Sequence, residues 1–177
     1  MESISILSRH RWALPILAQL NATGGSRFVP LANQLGLSRD ALRQTLDTLI
    51  DVGLVMRNPG YGHPSRPEYV LTEHGQRVAP VCASVLQELR RHGVEGGVLK
   101  KWSMPIVAAL TAERRYGELR RAVGATPRAL TLALKELVGL GVVERRVHDG
   151  FPPSTTYRLT PQSRSLLRQV TRLAAAL

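Results

Sequence analysis

Apolar side chains fall along this chain first in helical rhythm and then in strand rhythm, and the whole sequence of patterns runs through twice. In residues 12–20, Trp12, Leu14, Ile16, Leu17 and Leu20 take mixed helical spacing, and Pro15 is tolerable only near a first turn. The spacing predicts a helix of about two to three turns. A polar loop over 21–26 follows, and Phe28, Leu31 and Leu35, at steps of three and four, predict a short helix ended by Gly36. Ser38 supplies an N-cap for a third helix, whose buried stripe is Ala41, Leu42, Thr45, Leu46, Leu49 and Ile50 and which stops at Gly53. Residues 54–57 and 68–71 then read as two strands around a Gly- and Pro-rich loop. Thr72 opens a last helix over 78–91.

The same design returns. Trp12, Pro15 and Leu20 recur as Trp102, Pro105 and Leu110 at an offset of 90. From Phe28 onward the offset is 88: Leu31, Gly36, Leu42, Leu46, Gly53, Tyr69 and Thr72 come back as Leu119, Gly124, Leu130, Leu134, Gly141, Tyr157 and Thr160. Seven residues separate Leu20 from Phe28 but five separate Leu110 from Tyr116, which puts the length change in a loop. In the second copy Thr126 is the cap and Pro127 the first helical residue, where its missing N–H costs nothing. Strands over 142–147 and 156–159 and a helix over 162–175, opened by Thr160, complete it. Duplication at this period predicts two copies of one small domain, 1–93 and 94–177. Half of 177 residues lies near the lower size of a self-sufficient domain, so each copy is expected to lean on the other or on a second chain.

A helix pair joined by a tight turn and followed by a hairpin is the winged helix-turn-helix pattern, in which the second helix of the pair enters the major groove. The predicted fold class is therefore mainly α with small β-hairpins, as two tandem winged helix-turn-helix domains. Charge agrees with such a surface: residues 1–97 hold 10 basic and 8 acidic side chains, a balance of +2, whereas residues 98–177 hold 14 and 5, a balance of +9. A basic field of this kind attracts nucleic acid, acidic partners or anionic membrane, although an Arg-rich proteome would also produce it. One cysteine, Cys82, excludes an internal disulfide and suits a reducing compartment. With no stretch of membrane-spanning length and no basic-then-apolar leader pattern, a cytoplasmic protein is expected.

The run Arg27-Phe28 to Leu35-Gly36-Leu37-Ser38, then Leu42, Leu46, Leu49, Gly53-Leu54-Val55, Pro64, Arg66, Glu68-Tyr69 and Leu71-Thr72 resembles HxlR-type transcriptional regulators. So does Arg115-Tyr116, Glu118-Leu119-Arg120-Arg121, Thr126-Pro127, Leu130, Leu134, Gly141, Val143-Glu144-Arg145-Arg146, Pro152-Pro153, Tyr157 and Leu159-Thr160. The resemblance implies winged helices that bind pseudo-palindromic double-stranded DNA operators and pair through terminal helices. Here it implies an intrachain pseudo-dimer joined by the helices at 76–92 and 161–175, with recognition helices about 34 Å apart on successive grooves. Alternatively, those helices merely cap their own domains, and a homodimer of four winged helices also stays open.

Candidate DNA contacts follow from positions off the apolar stripes. In the first copy these are Ser38, Arg39, Arg43 and Gln44, Arg being suited to guanine and Gln to adenine, although Asp40 and Asp47 nearby oppose phosphate. In the second copy they are Thr126, Arg128, Thr131 and Lys135, while Leu132 and Ala133 stand where the family often carries polar or basic residues. Arg66 occupies the wing-arginine position in the first loop. The second has Ser154 there, with Arg145, Arg146 and His148 ahead of the tip. Asymmetric recognition is expected, the first half equipped for base reading and the second for electrostatic hold.

Trp12 and Trp102, at equivalent helix positions, read as core packing, or as the lining of a small-molecule pocket. A small-molecule effector in a crevice between the halves is compatible with two lobes joined by long helices. The five histidines lack ligand spacing, so neither a metal nor a cofactor is expected, and Cys82 reads as a buried structural thiol. No phosphate loop, nucleophile elbow or paired carboxylates point to an enzyme. The competing class is a tandem winged-helix scaffold that binds protein or small molecule without reading an operator, favoured by the acids at Asp40 and Asp47 and the apolar Leu132 and Ala133.

Overall fold

In the computed structural model, residues 2–58, 68–149, 151 and 153–177 are described, the side chains of residues 2 and 3 apart. The first repeat runs α1 (Glu2–Ser8), α2 (Ala13–Thr23), β1 (Ser26–Arg27), α3 (Phe28–Leu35), α4 (Arg39–Asp51), β2 (Val55–Asn58), β3 (Glu68–Leu71) and α5 (Glu73–Arg91). The second runs α6 (Glu95–Val98), α7 (Ser103–Ala109), β4 (Arg114–Arg115), α8 (Tyr116–Val123), α9 (Pro127–Gly139), β5 (Val143–His148), β6 (Ser154–Leu159) and α10 (Arg164–Ala176). Each repeat closes a helix-turn-helix (α3–α4, α8–α9) onto a small antiparallel sheet, with strand order β1-β3-β2 and β4-β6-β5.

Several elements depart from expectation, each for a local reason. The sheets have three strands, because two residues ahead of each helix-turn-helix pair with the last strand, Ser26 with Tyr69 and Arg114 with Tyr157. Such two-residue strands carry no periodicity to read. Residues 21–23 belong to α2, which Gly24 ends in a left-handed conformation at φ 71°. The short helices α1 and α6 are further additions. In the first repeat α5 begins at once after its cap, Thr72 accepting from the Gly75 amide at 3.0 Å, five residues earlier than the spacing predicts. That close start needs Gly75: a Cβ there would meet the Leu54 carbonyl oxygen at 2.0 Å. Ser163 fills the corresponding place in the second repeat. There a 3-10 turn over Pro161–Ser163 intervenes before α10, and the Thr160 hydroxyl donates to Gly141 O at 2.8 Å rather than capping α10.

The repeats are tied together by their last helices. His74, in the first turn of α5, donates from Nε2 to the Ala176 carbonyl near the end of α10 at 3.1 Å. His92, at the end of α5, lies beside Gln162, Ser163 and Leu166 around the start of α10. The two helices therefore pack antiparallel, the relation that a two-fold axis imposes on equivalent elements. They do more than cap their own domains. The α1 helix adds a second tie by packing on α7 and α10 of the other repeat. One apolar core runs through both repeats, with Leu17, Leu42, Leu49, Val85, Leu89, Ile106, Leu130, Leu137 and Val170 fully buried. Cys82 lies inside it, and burial pushes its thiol up to about 12. Trp12 and Trp102 sit half-buried against this core at the starts of α2 and α7, each carrying the cation before it on its ring, Arg11 at 4.6 Å and Lys101 at 4.8 Å.

Candidate nucleic-acid interface

In the first repeat the turn between α3 and α4 is set by Gly36 at φ 64°, and the Ser38 hydroxyl accepts from the Ala41 amide at 3.3 Å to start α4. Leu42, Thr45, Leu46 and Leu49 are buried, which turns Arg39, Asp40, Arg43, Gln44 and Asp47 to the outside. The two acids are already engaged. Arg43 stands 4.0 Å from Asp40, and Arg57, reaching across from β2, stands 3.8 Å from Asp47 while lying over the Tyr69 ring at 5.7 Å. Exposed pairs like these add little stability. Their consequence is electrostatic, since each carboxylate sits beside a cation that would otherwise face a ligand.

The second repeat inverts that balance. Thr126 accepts from the Ala129 amide at 3.3 Å, and the outer face of α9 carries Arg128, Thr131, Leu132 and Lys135. At the 88-residue offset Arg128 replaces Asp40 and Lys135 replaces Asp47. Arg145 on β5, paired across the sheet with Tyr157 as Arg57 is with Tyr69, thereby loses the carboxylate partner that Arg57 has. Among the described residues none of Arg128, Lys135 and Arg145 forms an ion pair. Thr131 is held from within: the Tyr116 hydroxyl, absent from Phe28 at the equivalent position, donates to Pro127 O at 2.9 Å and lies 3.2 Å from Thr131 Oγ1.

One expectation needs correction. Ala133 is buried and sits on the stripe, as does its counterpart Thr45, whose hydroxyl donates to Ala41 O at 2.7 Å. Leu132, at 59% exposure, breaks the polar face, as Val138 does further along α9. Strand alternation sends Arg145 and Arg146 to opposite faces of the sheet. Arg146 belongs with Glu144 at 3.1 Å, and Arg158 donates to the same carboxylate at 2.8 Å. Arg158 first and Arg146 second hold the Glu144 carboxyl below its ordinary range. Glu113 is lowered likewise, by the Thr156 hydroxyl and then by His148. Arg66 lies outside the described residues. Ser154 opens β6, opposite His148.

A basic cluster outside the expected set lies on α8, where Arg120 and Arg121 are exposed at the positions held by Ala32 and Asn33 in the first repeat. Its signal in the sequence is the Arg pair at the end of the first helix of a helix-turn-helix, the element that crosses the duplex backbone. Between the repeats, Ile6, Leu7, Val52, Leu54, His74 and Leu177 line a cavity of about 190 Å³. Among the described residues no helix is long and apolar enough to cross a membrane, and no group of three or more His, Cys, Asp or Glu is placed to hold a metal.

The family model described as HxlR-like helix-turn-helix matches residues 7–95 and again 98–176. An uncharacterised HTH-type transcriptional regulator of Mycobacterium tuberculosis is 39% identical over 77 residues, covering 44% of this chain and 48% of that protein. Another, from Halalkalibacterium halodurans, is 37% identical over 70 residues, covering 38% of this chain and 62% of that protein. The chain thus spans about half the length of the first of these relatives. The solved structure of the redox regulator HypR in its oxidised form superposes with a TM-score of 0.45 at 30% identity, covering 49% of this chain and 91% of that one.

Proposed function

Since the chain belongs to the HxlR-like helix-turn-helix family in both of its repeats, we propose that it is a sequence-reading transcriptional regulator of double-stranded DNA. Domains 1–93 and 94–177 each present one recognition helix, α4 or α9, to a half-site, and occupancy of the operator represses. One observation carries this reading: both second helices are capped, anchored by a buried apolar stripe and turned outward on their polar faces, in repeats joined antiparallel by α5 and α10. Arg39, Arg43 and Gln44 read bases in the first half-site. Arg128, Lys135 and Arg145, with Arg120 and Arg121 on α8, hold phosphates around the second. Ser38 and Thr126 set the helix starts against the backbone. The intrachain pairing makes one chain per operator the working stoichiometry.

Selection from random duplexes at two salt concentrations, with the mass of the complex measured in solution, tests this directly. The expected outcome is one enriched bipartite sequence, bound by one chain, with log affinity falling by about 0.9 per log unit of salt for each phosphate contact. The apolar Leu132 on α9 and the exposed Phe151 favour the scaffold as a second reading. Salt-independent binding to a protein or small molecule, with no duplex affinity at low salt, would favour that reading instead.

A further inference from the structure

The two repeats also differ in a groove away from their helix-turn-helix faces. Beside β6, the second repeat has a cavity of about 700 Å³, within the size range of small-molecule sites, lined by Leu110, Leu159 and Leu167 and by Arg158, Arg164 and Arg168. The first repeat has the corresponding groove, about 460 Å³, lined by Leu20, Leu71, Val70 and Gln76 among others. At the 88-residue offset Val70, Gln76 and Pro80 have become Arg158, Arg164 and Arg168. Three arginines have thus been placed around an apolar floor that otherwise keeps its character, Leu20 and Leu71 answering to Leu110 and Leu159.

An internal partner accounts for only one of them. Arg158 is committed to Glu144 at 2.8 Å. Glu113, the carboxylate on the lining, is occupied by Thr156 and His148. Arg164 and Arg168 have no ion pair among the described residues and stand four residues apart on α10, a like-charge spacing that costs helix stability. Arg164 also lies in the first turn of α10, where a cation opposes the helix dipole. Two uncompensated guanidinium groups over leucine side chains complement a ligand with one anionic end and one apolar body.

We propose that this cavity binds a small amphipathic carboxylate, its charge between Arg164 and Arg168 and its apolar part over Leu110, Leu159 and Leu167. Planar guanidinium groups match a carboxylate bidentately, and the leucines exclude a ligand that is all charge. The site lies within one repeat and is measured without DNA, so its failure would leave the operator reading untouched.

Calorimetric titration of the whole chain with phenylacetate, acetate, inorganic phosphate and toluene at low salt provides the test. Phenylacetate is expected to bind one per chain, at least tenfold tighter than acetate or phosphate, with no heat from toluene. Arg164→Gln, which restores the residue of the first repeat, and Arg168→Gln should each weaken it at least tenfold. Arg172→Gln, with the same loss of charge further along α10, should leave it unchanged. Circular dichroism melting of each variant separates a lost site from a lost fold. Phosphate binding as tightly as phenylacetate, or equal weakening by all three substitutions, would overturn the proposal in favour of a general basic surface, as would no phenylacetate binding to the folded wild-type chain.

Discussion

On the proposed reading of DNA by α4 and α9, Gln44 and its counterpart Leu132 differ in what they can ask of a base pair. Gln44 offers a donor and an acceptor and suits adenine, whereas Leu132, at the same position of α9, can make only apolar contact, for which the thymine methyl is the available target in the major groove. Replacing thymine by deoxyuridine at one position of the second half-site should therefore cost about 0.8 kcal/mol, or roughly fourfold in affinity. With Leu132→Ala the two duplexes should bind alike. A gel-shift titration of the four combinations checks this, and equal affinity of wild type for both duplexes at every thymine would remove Leu132 from the reading face. Single positions of this kind were legible in the sequence only where the stripe was unambiguous. Leu132 fell correctly outside it, but neighbouring Ala133 is small and fits either side of a helix. Thr45 settles the matter: its hydroxyl is satisfied by the helix backbone, so a polar residue can occupy the buried stripe, and its counterpart is buried too.

The elements themselves were largely readable, since helix caps and glycine stops are local chemistry. Ser38, Thr126, Gly36 and Gly124 mark the helix-turn-helix boundaries within a residue of where they fall. What escaped is whatever depends on a neighbour, such as the two-residue strands β1 and β4 and the 3-10 turn that Ser163 brings in place of Gly75. The antiparallel seam of α5 and α10 belongs to this class, and its one buried acid makes it testable. Ser165 on the partner helix holds the Glu88 carboxyl below the usual range against the burial that raises it, with His92 at 3.0 Å and Arg91 at 3.4 Å assisting. A carboxyl lowered on folding contributes stability above its unfolded value and loses it as the pH falls through the folded one. Urea unfolding at pH 7 should show Glu88→Gln less stable by about 1–2 kcal/mol. That difference should shrink as the pH falls below the ordinary carboxylate value and on through the lowered folded one, where the wild-type group takes up its proton. A difference that persists undiminished at pH 3 would mean that packing, not charge, is what the substitution removed.

Over the whole molecule, duplication followed by divergence has sorted charge unequally, +2 in residues 1–97 against +9 in residues 98–177. Composition alone made this visible, but its location became clear only from the geometry. The first recognition surface neutralises itself, with Asp40 beside Arg43 and Asp47 beside Arg57, and the second replaces both acids with cations and leaves Arg145 without an ion pair among the described residues. Affinity and selectivity should then be separable by repeat. Arg128→Gln with Lys135→Gln is expected to weaken binding to all duplexes nearly uniformly and to flatten the salt dependence by about two phosphate contacts, near 1.8 in log–log slope. Arg43→Gln should leave that slope almost unchanged, because Asp40 already offsets its charge, while relaxing preference at one base pair of the first half-site by about 1–3 kcal/mol. Fluorescence anisotropy across a salt series, on the selected operator and on scrambled DNA, distinguishes these outcomes. Matching slope changes for both sets of substitutions would mean that the two surfaces meet the duplex in the same way, and the asymmetry of charge would then have to serve something other than division of labour on DNA.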